Sequence, residues 1–187
     1  MASELVLLVV VFIAIISTAR AALLSHTVMH RAIAHITVPL LLSLGIENFA
    51  TNKQINLSDA AMAKIIANDI TSNQALATAD FDRSIYSEDC TFQDEIDTYS
   101  IDNYVKGTKA LFNKERSKVE LVGEVQISAE EAVFKFKEDL SFNVPLKPIV
   151  TLSGKVVLTR GEGGLIVKSR EYWDQKPFDV LKTARLN

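Results

Sequence analysis

Histidine is nearly missing from this chain: of 187 residues only His26, His30 and His35 are histidine, all in the N-terminal fifth. If a leader containing them is removed, the remaining domain has no imidazole general base. It also has no Ser-His or Cys-His nucleophile pair and lacks the commonest transition-metal ligand. Cysteine is scarcer still. Cys90 stands alone, which excludes an intrachain disulfide and a cysteine-cluster metal site, and it reads as a small buried hydrophobe. A net charge of -3 with a pI near 5.6 leaves no basic footprint for nucleic acid. Walker, zinc and repeat patterns are absent too, so no cofactor, metal or nucleic-acid partner is implied. Any chemistry must come from Asp, Glu, Tyr, Lys or Arg.

The chain also lacks a run long enough to span a bilayer near its start. Leu5 to Ile16 (LVLLVVVFIAII) is 12 residues, against roughly 20 for a spanning helix. It leads to the small-x-small pattern of Ala19 and Ala21, so residues 1–21 read as a signal peptide; a retained anchor is the alternative, and Glu4 with no Lys or Arg before the run departs from the usual pattern. Ala22 to Ile46 has no acidic residue, carries Arg31 amid Ser, Thr and Ala, and ends in a second apolar run, Ile36 to Ile46. Residues 22–50 therefore read as a transit peptide or propeptide. A signal joined to a transit segment is similar to the bipartite leaders of algae with secondary plastids. The expected location is a plastid, stroma or thylakoid lumen, with no stable membrane anchor after processing; secretion is the alternative.

From residue 55 onward the patterns are those of a folded domain. Ser58 is an N-cap with Asp59 in the first turn, and Met62, Ile65, Ile66, Ile70 and Leu76 recur at helical spacing. This predicts one amphipathic helix of about five turns ending near Ala79, with Lys64, Asn68, Asp69 and Asn73 on its wet side. A short turn or helix at Phe81 to Tyr86 follows, then a brief strand at Cys90 to Phe92, a loop at Thr98 to Ser100, and a second helix from Ile101 to about Lys114. Four strands with period-2 alternation come next, Val119–Ile127, Val133–Phe142, Val150–Leu158 and Leu165–Trp173. Pro145 and Pro148 occupy the long connection between the second and third of these, and a Gly-rich hairpin, Arg160 to Gly164, joins the last two. Helices first and antiparallel strands afterwards give an α+β domain, a cone-shaped curved sheet with N-terminal helices packed on its concave face over residues 55–175, and a tail at 176–187.

Ile85-Tyr-x-x-Asp-x-x-Phe92-x-Asp94, Ile101-Asp-Asn-Tyr104 and Gly163-Gly-Leu-Ile-Val-Lys-Ser-Arg-Glu-Tyr-Trp-Asp174 resemble the nuclear-transport-factor-2-like (NTF2-like, SnoaL-like) domains. Within these, they are similar to the uncharacterised DUF2358-type group of plants, algae and cyanobacteria, over roughly residues 57–175. The resemblance implies a cone-shaped, cystatin-like barrel, often dimeric through its outer sheet face, and a plastid link. Two positions depart from it. Glu95 follows Asp94 where Pro is frequent, and Ser169 stands where a His is frequent, which argues against dehydratase-type chemistry.

Glu138 and Glu171 are the sharpest local anomaly, because each lies on the otherwise apolar face of its strand. A carboxylate there must be paired, protonated or lining a wet cavity. Glu138, Glu171 and Asp94 are the catalytic candidates, and Tyr86, Phe92, Tyr104, Phe136 and Trp173 are expected to line the pocket. Two functions stay open. One is a non-catalytic domain that binds a hydrophobic small molecule in the pocket, or assembles as a homodimer or with a partner protein through the outer sheet face. The other is a cofactor-free lyase, isomerase or hydrolase using Asp or Glu as general base on a small apolar metabolite.

Overall fold

The computed structural model of the chain describes residues 52–186. The expected signal and transit segments, residues 1–50, lie outside the described residues. Ser58 caps the first helix, α1 (Asp59–Thr71), its Oγ accepting from the Ala61 amide. The helix is shorter than its apolar spacing predicts. Gln74 takes a left-handed conformation (φ 57°) and separates α1 from a single turn, α2 (Ala75–Thr78). Its side chain explains the break: Nε2 donates to the Ile70, Thr71 and Val119 carbonyls, while Oε1 accepts from the Val119 amide. One amide thus satisfies the end of a helix and the edge of a strand distant in sequence.

A 3₁₀ turn at Arg83–Ile85 leads into β1 (Tyr86–Gln93), followed by β2 (Thr98–Ser100), α3 (Ile101–Leu111), β3 (Lys118–Ile127), β4 (Glu131–Ser141), β5 (Ile149–Arg160), β6 (Ile166–Trp173) and α4 (Pro177–Lys182). Thr98 to Ser100, expected as a loop, is a short strand because it can pair with Thr91 to Gln93. The six strands form one sheet in the order β2-β1-β6-β5-β4-β3. All pairs are antiparallel except β1 with β6, which run parallel. The fold is α+β, helices laid on a curved sheet. The stretch expected as a tail docks on the sheet: Val180 is buried, and Arg185 bridges to Ile149.

The sheet sorts its side chains as the period-2 pattern requires. Phe134, Phe136, Leu152, Val156 and Leu158 are buried on the concave side, against Met62, Ile66 and Ile70 of α1 and Ile101 of α3. Lys135, Lys137, Lys155 and Lys168 are exposed on the convex side. The alternation read through Leu165–Trp173 fails at its start. The β5–β6 register shifts after Thr159, and this irregularity puts Ile166 in the core (0% exposed) and Val167 outside (37%). From Ser169 onward the expected phase holds. Gly154 sits between Phe136 and Trp173 across three strands, where a Cβ would lie 2.1 Å from the Tyr172 carbonyl oxygen.

Candidate functional site

Three elements close on the concave face and leave one cleft with a small cavity, about 30 Å3, room for one or two water molecules. Ile66, Ile70, Leu76 and Phe81 form its apolar side. The aromatic wall is built from Phe92, whose ring stacks on Tyr104 (4.2 Å between centroids, 16°), flanked by Tyr86 at 5.8 Å and Phe81 at 5.5 Å. These rings come from β1, α3 and the segment before β1, so the stretch from Phe81 to Tyr104 supplies most of the wall. The polar lining is Asp69, Gln93, Asp94, Tyr99, Tyr104, Ser169 and Glu171. No Lys or Arg lines the cavity among the described residues.

Glu171 and Glu138 both point to this side of the sheet. Glu138 is 3% exposed, and its Oε2 has no hydrogen-bond partner among the described residues. Burial holds its carboxyl well above the usual range, and the nearby Glu171 charge pushes it further. Such a group is neutral at physiological pH, since an ionised carboxylate without a partner in this setting costs several kcal/mol. Glu171 is half-buried, and Trp173 Nε1 donates to its Oε1. Burial raises Glu171 to about 7; Trp173's hydrogen bond and the Arg170 charge pull it down, and Asp94 and Glu95 push it up. The Tyr104 hydroxyl makes no hydrogen bond among the described residues; burial and the charges of Glu171 and Glu138 hold it well above its ordinary value.

Asp69 was expected on the wet face of α1 and is instead 4% exposed and in the cavity wall. Its Oδ1 accepts from Asn73 Nδ2 and its Oδ2 from the Asp82 amide. Burial raises it to about 6 against the pull of those two hydrogen bonds. The signal was present in the spacing. Met62, Ile66, Asp69 and Asn73 continue one stripe at intervals of four and three, but charge was read as solvent exposure. Asp94 is chiefly a turn-former: its Oδ1 accepts from the Ile96 and Asp97 amides at 2.7 and 2.8 Å. Burial still raises its carboxyl above the ordinary value.

Of the residues expected to line the pocket, Tyr86, Phe92 and Tyr104 do so. Phe136 is 1% exposed and packs in the core beneath. Trp173 stands beside the cavity and orients Glu171. Tyr99 was missed because its segment was read as a loop. Cys90 is buried and its thiol pushed up to about 12 by burial, so it is not a thiolate at neutral pH. Arg170 is the nearest cation in sequence to Glu171. Its guanidinium bonds Glu95 at 2.9 Å and the Glu171 carbonyl at 2.8 Å and lies over the Tyr172 ring. Among the described residues no cluster of three or more His, Cys, Asp or Glu side chains is placed to hold a metal.

No protein-family model matches the chain, and no curated protein is significantly similar to it. Solved structures similar to it include an NTF2-like protein from Anabaena variabilis, 15% identical over 66% of this chain and 96% of that one, with a TM-score of 0.46. An NTF2-like superfamily protein from Salmonella enterica is 12% identical over 63% of this chain and 92% of its own, with a TM-score of 0.47. The epoxide hydrolase/cyclase-like enzyme SalBIII of pyran ring formation in salinomycin is 14% identical over 70% and 100%, with a TM-score of 0.48. At these identities and scores no residue role or activity is carried across.

Proposed function

We propose that the domain binds a small, mostly apolar molecule whose polar end enters the cavity beside Glu171 and Tyr104. The observation that carries this reading is a desolvated cavity bordered by Glu171, which uses only Oε1, toward Trp173, and by the Tyr104 hydroxyl, which makes no hydrogen bond among the described residues. Polar atoms out of water without partners cost free energy, and a bound polar group would satisfy them. At about 30 Å3 the cavity admits only a head group. The apolar body would lie in the mouth against Ile66, Leu76 and Phe81. Native mass spectrometry of protein purified from its own source should show a bound small molecule that leaves on denaturation. That mass should be missing from Leu76→Trp, which fills the mouth. A bare protein mass in both, with unchanged solvent-exchange protection of α1 and α3 when extracts of the source are added, would overturn the reading.

A second reading is favoured by one observation, the rise of Glu171 to about 7 next to a tyrosine hydroxyl. A carboxyl titrating there exchanges protons at physiological pH, and Tyr104 or neutral Glu138 could donate to a developing oxyanion. The domain would then be a cofactor-free lyase, isomerase or hydrolase with Glu171 as base. Small enolisable ketones incubated in D₂O would gain deuterium with the native protein and not with Glu171→Gln; no uptake with any would leave the binding function alone.

The leader composition supports delivery to a plastid, and the motifs support placement within the DUF2358-type group. A fluorescent fusion of residues 1–50 that fails to enter plastids would reject the first. A homodimer or a partner protein at the outer sheet face would meet a surface of mixed charge, Lys135, Lys137, Lys155 and Lys168 beside Glu120, Glu131 and Asp139.

A further inference from the structure

We propose that the head group taken by this cavity is a primary ammonium, carried on a short apolar tail. The inference rests on the cavity being a small-molecule site and names the chemistry of what enters it.

Charge comes first. Asp69, Asp94 and Glu171 line the cavity and Glu138 stands behind Glu171, whereas no Lys or Arg lines it among the described residues. Arg170, on the same strand as Glu171, is held by Glu95 and by a backbone carbonyl. An anionic ligand would meet three carboxyl groups with no cation lining the cavity among the described residues. A neutral one would leave their mutual repulsion in place. A cation relieves it, and in a desolvated site the attraction is far stronger than in water.

Donor count and size come second. Two polar atoms lining the cavity take no hydrogen bond from any described residue: Glu171 uses only Oε1, toward Trp173, and the Tyr104 hydroxyl oxygen is free. An ammonium offers N–H donors to both at once and brings no acceptor of its own, whereas a hydroxyl offers one donor. It is also close to the size of a water molecule and fits a cavity of about 30 Å3. A bulkier quaternary ammonium does not.

The aromatic wall comes third. Phe92 and Tyr104 stack at 4.2 Å with Phe81 and Tyr86 against them. Ring faces attract the positively charged carbon next to an ammonium, an effect that strengthens when water is excluded. Carboxylates, π faces and an apolar mouth together make an amine site.

The test uses the full folded domain and three probes of one shape: 3-methylbutylamine, 3-methylbutan-1-ol and 3-methylbutanoate. Isothermal titration calorimetry at pH 7.5, in two buffers of different ionisation enthalpy, reads affinity and proton exchange together. The amine is expected to bind at least about tenfold more tightly than the alcohol, and the carboxylate not at all. Amine binding should release protons, because a cation lowers the proton affinity of the groups around it: Asp69 on α1, Asp94 after β1, Tyr99 on β2, Tyr104 on α3, Glu138 on β4 and Glu171 on β6. In Glu171→Gln the amine's preference over the alcohol should collapse while alcohol binding persists. Should that variant not fold, proton release by the native protein decides. Equal binding of alcohol and amine, or amine binding without proton release, would overturn the ammonium assignment and leave the pocket standing. Failure of all three probes to bind would remove both.

Discussion

Lys137 and Glu138 are neighbours in sequence and sit on opposite faces of β4, and the contrast between those faces carries most of the account. On the convex side Lys135 stands directly across from Lys155, with Lys137, Lys168 and Arg170 nearby, in contact with water. On the concave side three carboxyl groups line a cavity without a Lys or Arg among its described lining residues, and Glu138 is buried near one of them, Glu171. Like charges in water cost little and are screened, whereas like charges out of water shift their own protonation. One strand thus bears a solvated face of mixed charge, with Glu131, Lys135, Lys137 and Asp139, and a desolvated face on which Glu138 stands without a cation, and only the second has reason to bind something.

The largest expected difference is in packing. Phe136→Ala should lose about 3–5 kcal/mol of unfolding free energy, and Lys135→Ala on the same strand no more than about 0.5 kcal/mol. Urea unfolding of the two measures this, and similar losses would mean that the concave face is not the core.

The next is pH. A group whose folded value lies above its unfolded one binds its proton more tightly when folded, so stability is greatest below the unfolded value and falls as pH rises. Asp69 rises from 3.8 to about 6 and Glu171 from 4.5 to about 7. Stability should therefore decline between about pH 4 and pH 7, by on the order of 3 kcal/mol for Asp69 and less for half-buried Glu171. Asp69→Asn should flatten that slope and be more stable than the native chain at pH 8. Lysine substitutions on the convex face should leave the slope alone. Glu88 and Asp139, lowered by their hydrogen bonds to Lys53 and Arg83 and to Thr151 and Arg185, act the other way, in acid below this window.

A smaller effect is expected at Gly154, where an added Cβ meets the Tyr172 carbonyl. Gly154→Ala should cost about 1–3 kcal/mol and disturb the Trp173 indole signal, while Lys155→Ala next to it should do neither. The smallest is Lys155→Glu, which turns a like-charge pair with Lys135 into an opposite one. It should add about 0.2–1 kcal/mol at low salt, fading at 1 M salt; a loss of stability would show that the convex face is not simply solvated.

The sheet was legible because β3, β4 and β5 each bury one face, and a period of two records that in the residues. The break after α1 was not, because it depends on Gln74 meeting Val119, 45 positions away in the chain. Nor was the parallel pairing of β1 with β6, since strand order leaves no local trace. The irregularity at Val167 was hidden for a related reason: Leu165, Ile166 and Val167 are all apolar, so either phase fits. At the site, Glu138 and Glu171 stood out as charges in an apolar pattern. Asp69 did not, because an acid on an amphipathic helix looks the same whether its face meets water or a cavity.

The central claim is that the concave acids are desolvated and titrate far from their ordinary values. It is tested most directly by carbon-13 NMR titration of the glutamate carboxyls, assigned with Glu138→Gln and Glu171→Gln. The account predicts a midpoint near 7 for Glu171 and one well above the ordinary range for Glu138. Ordinary carboxylate midpoints for both Glu138 and Glu171 would mean that the concave face is wet, and would contradict it.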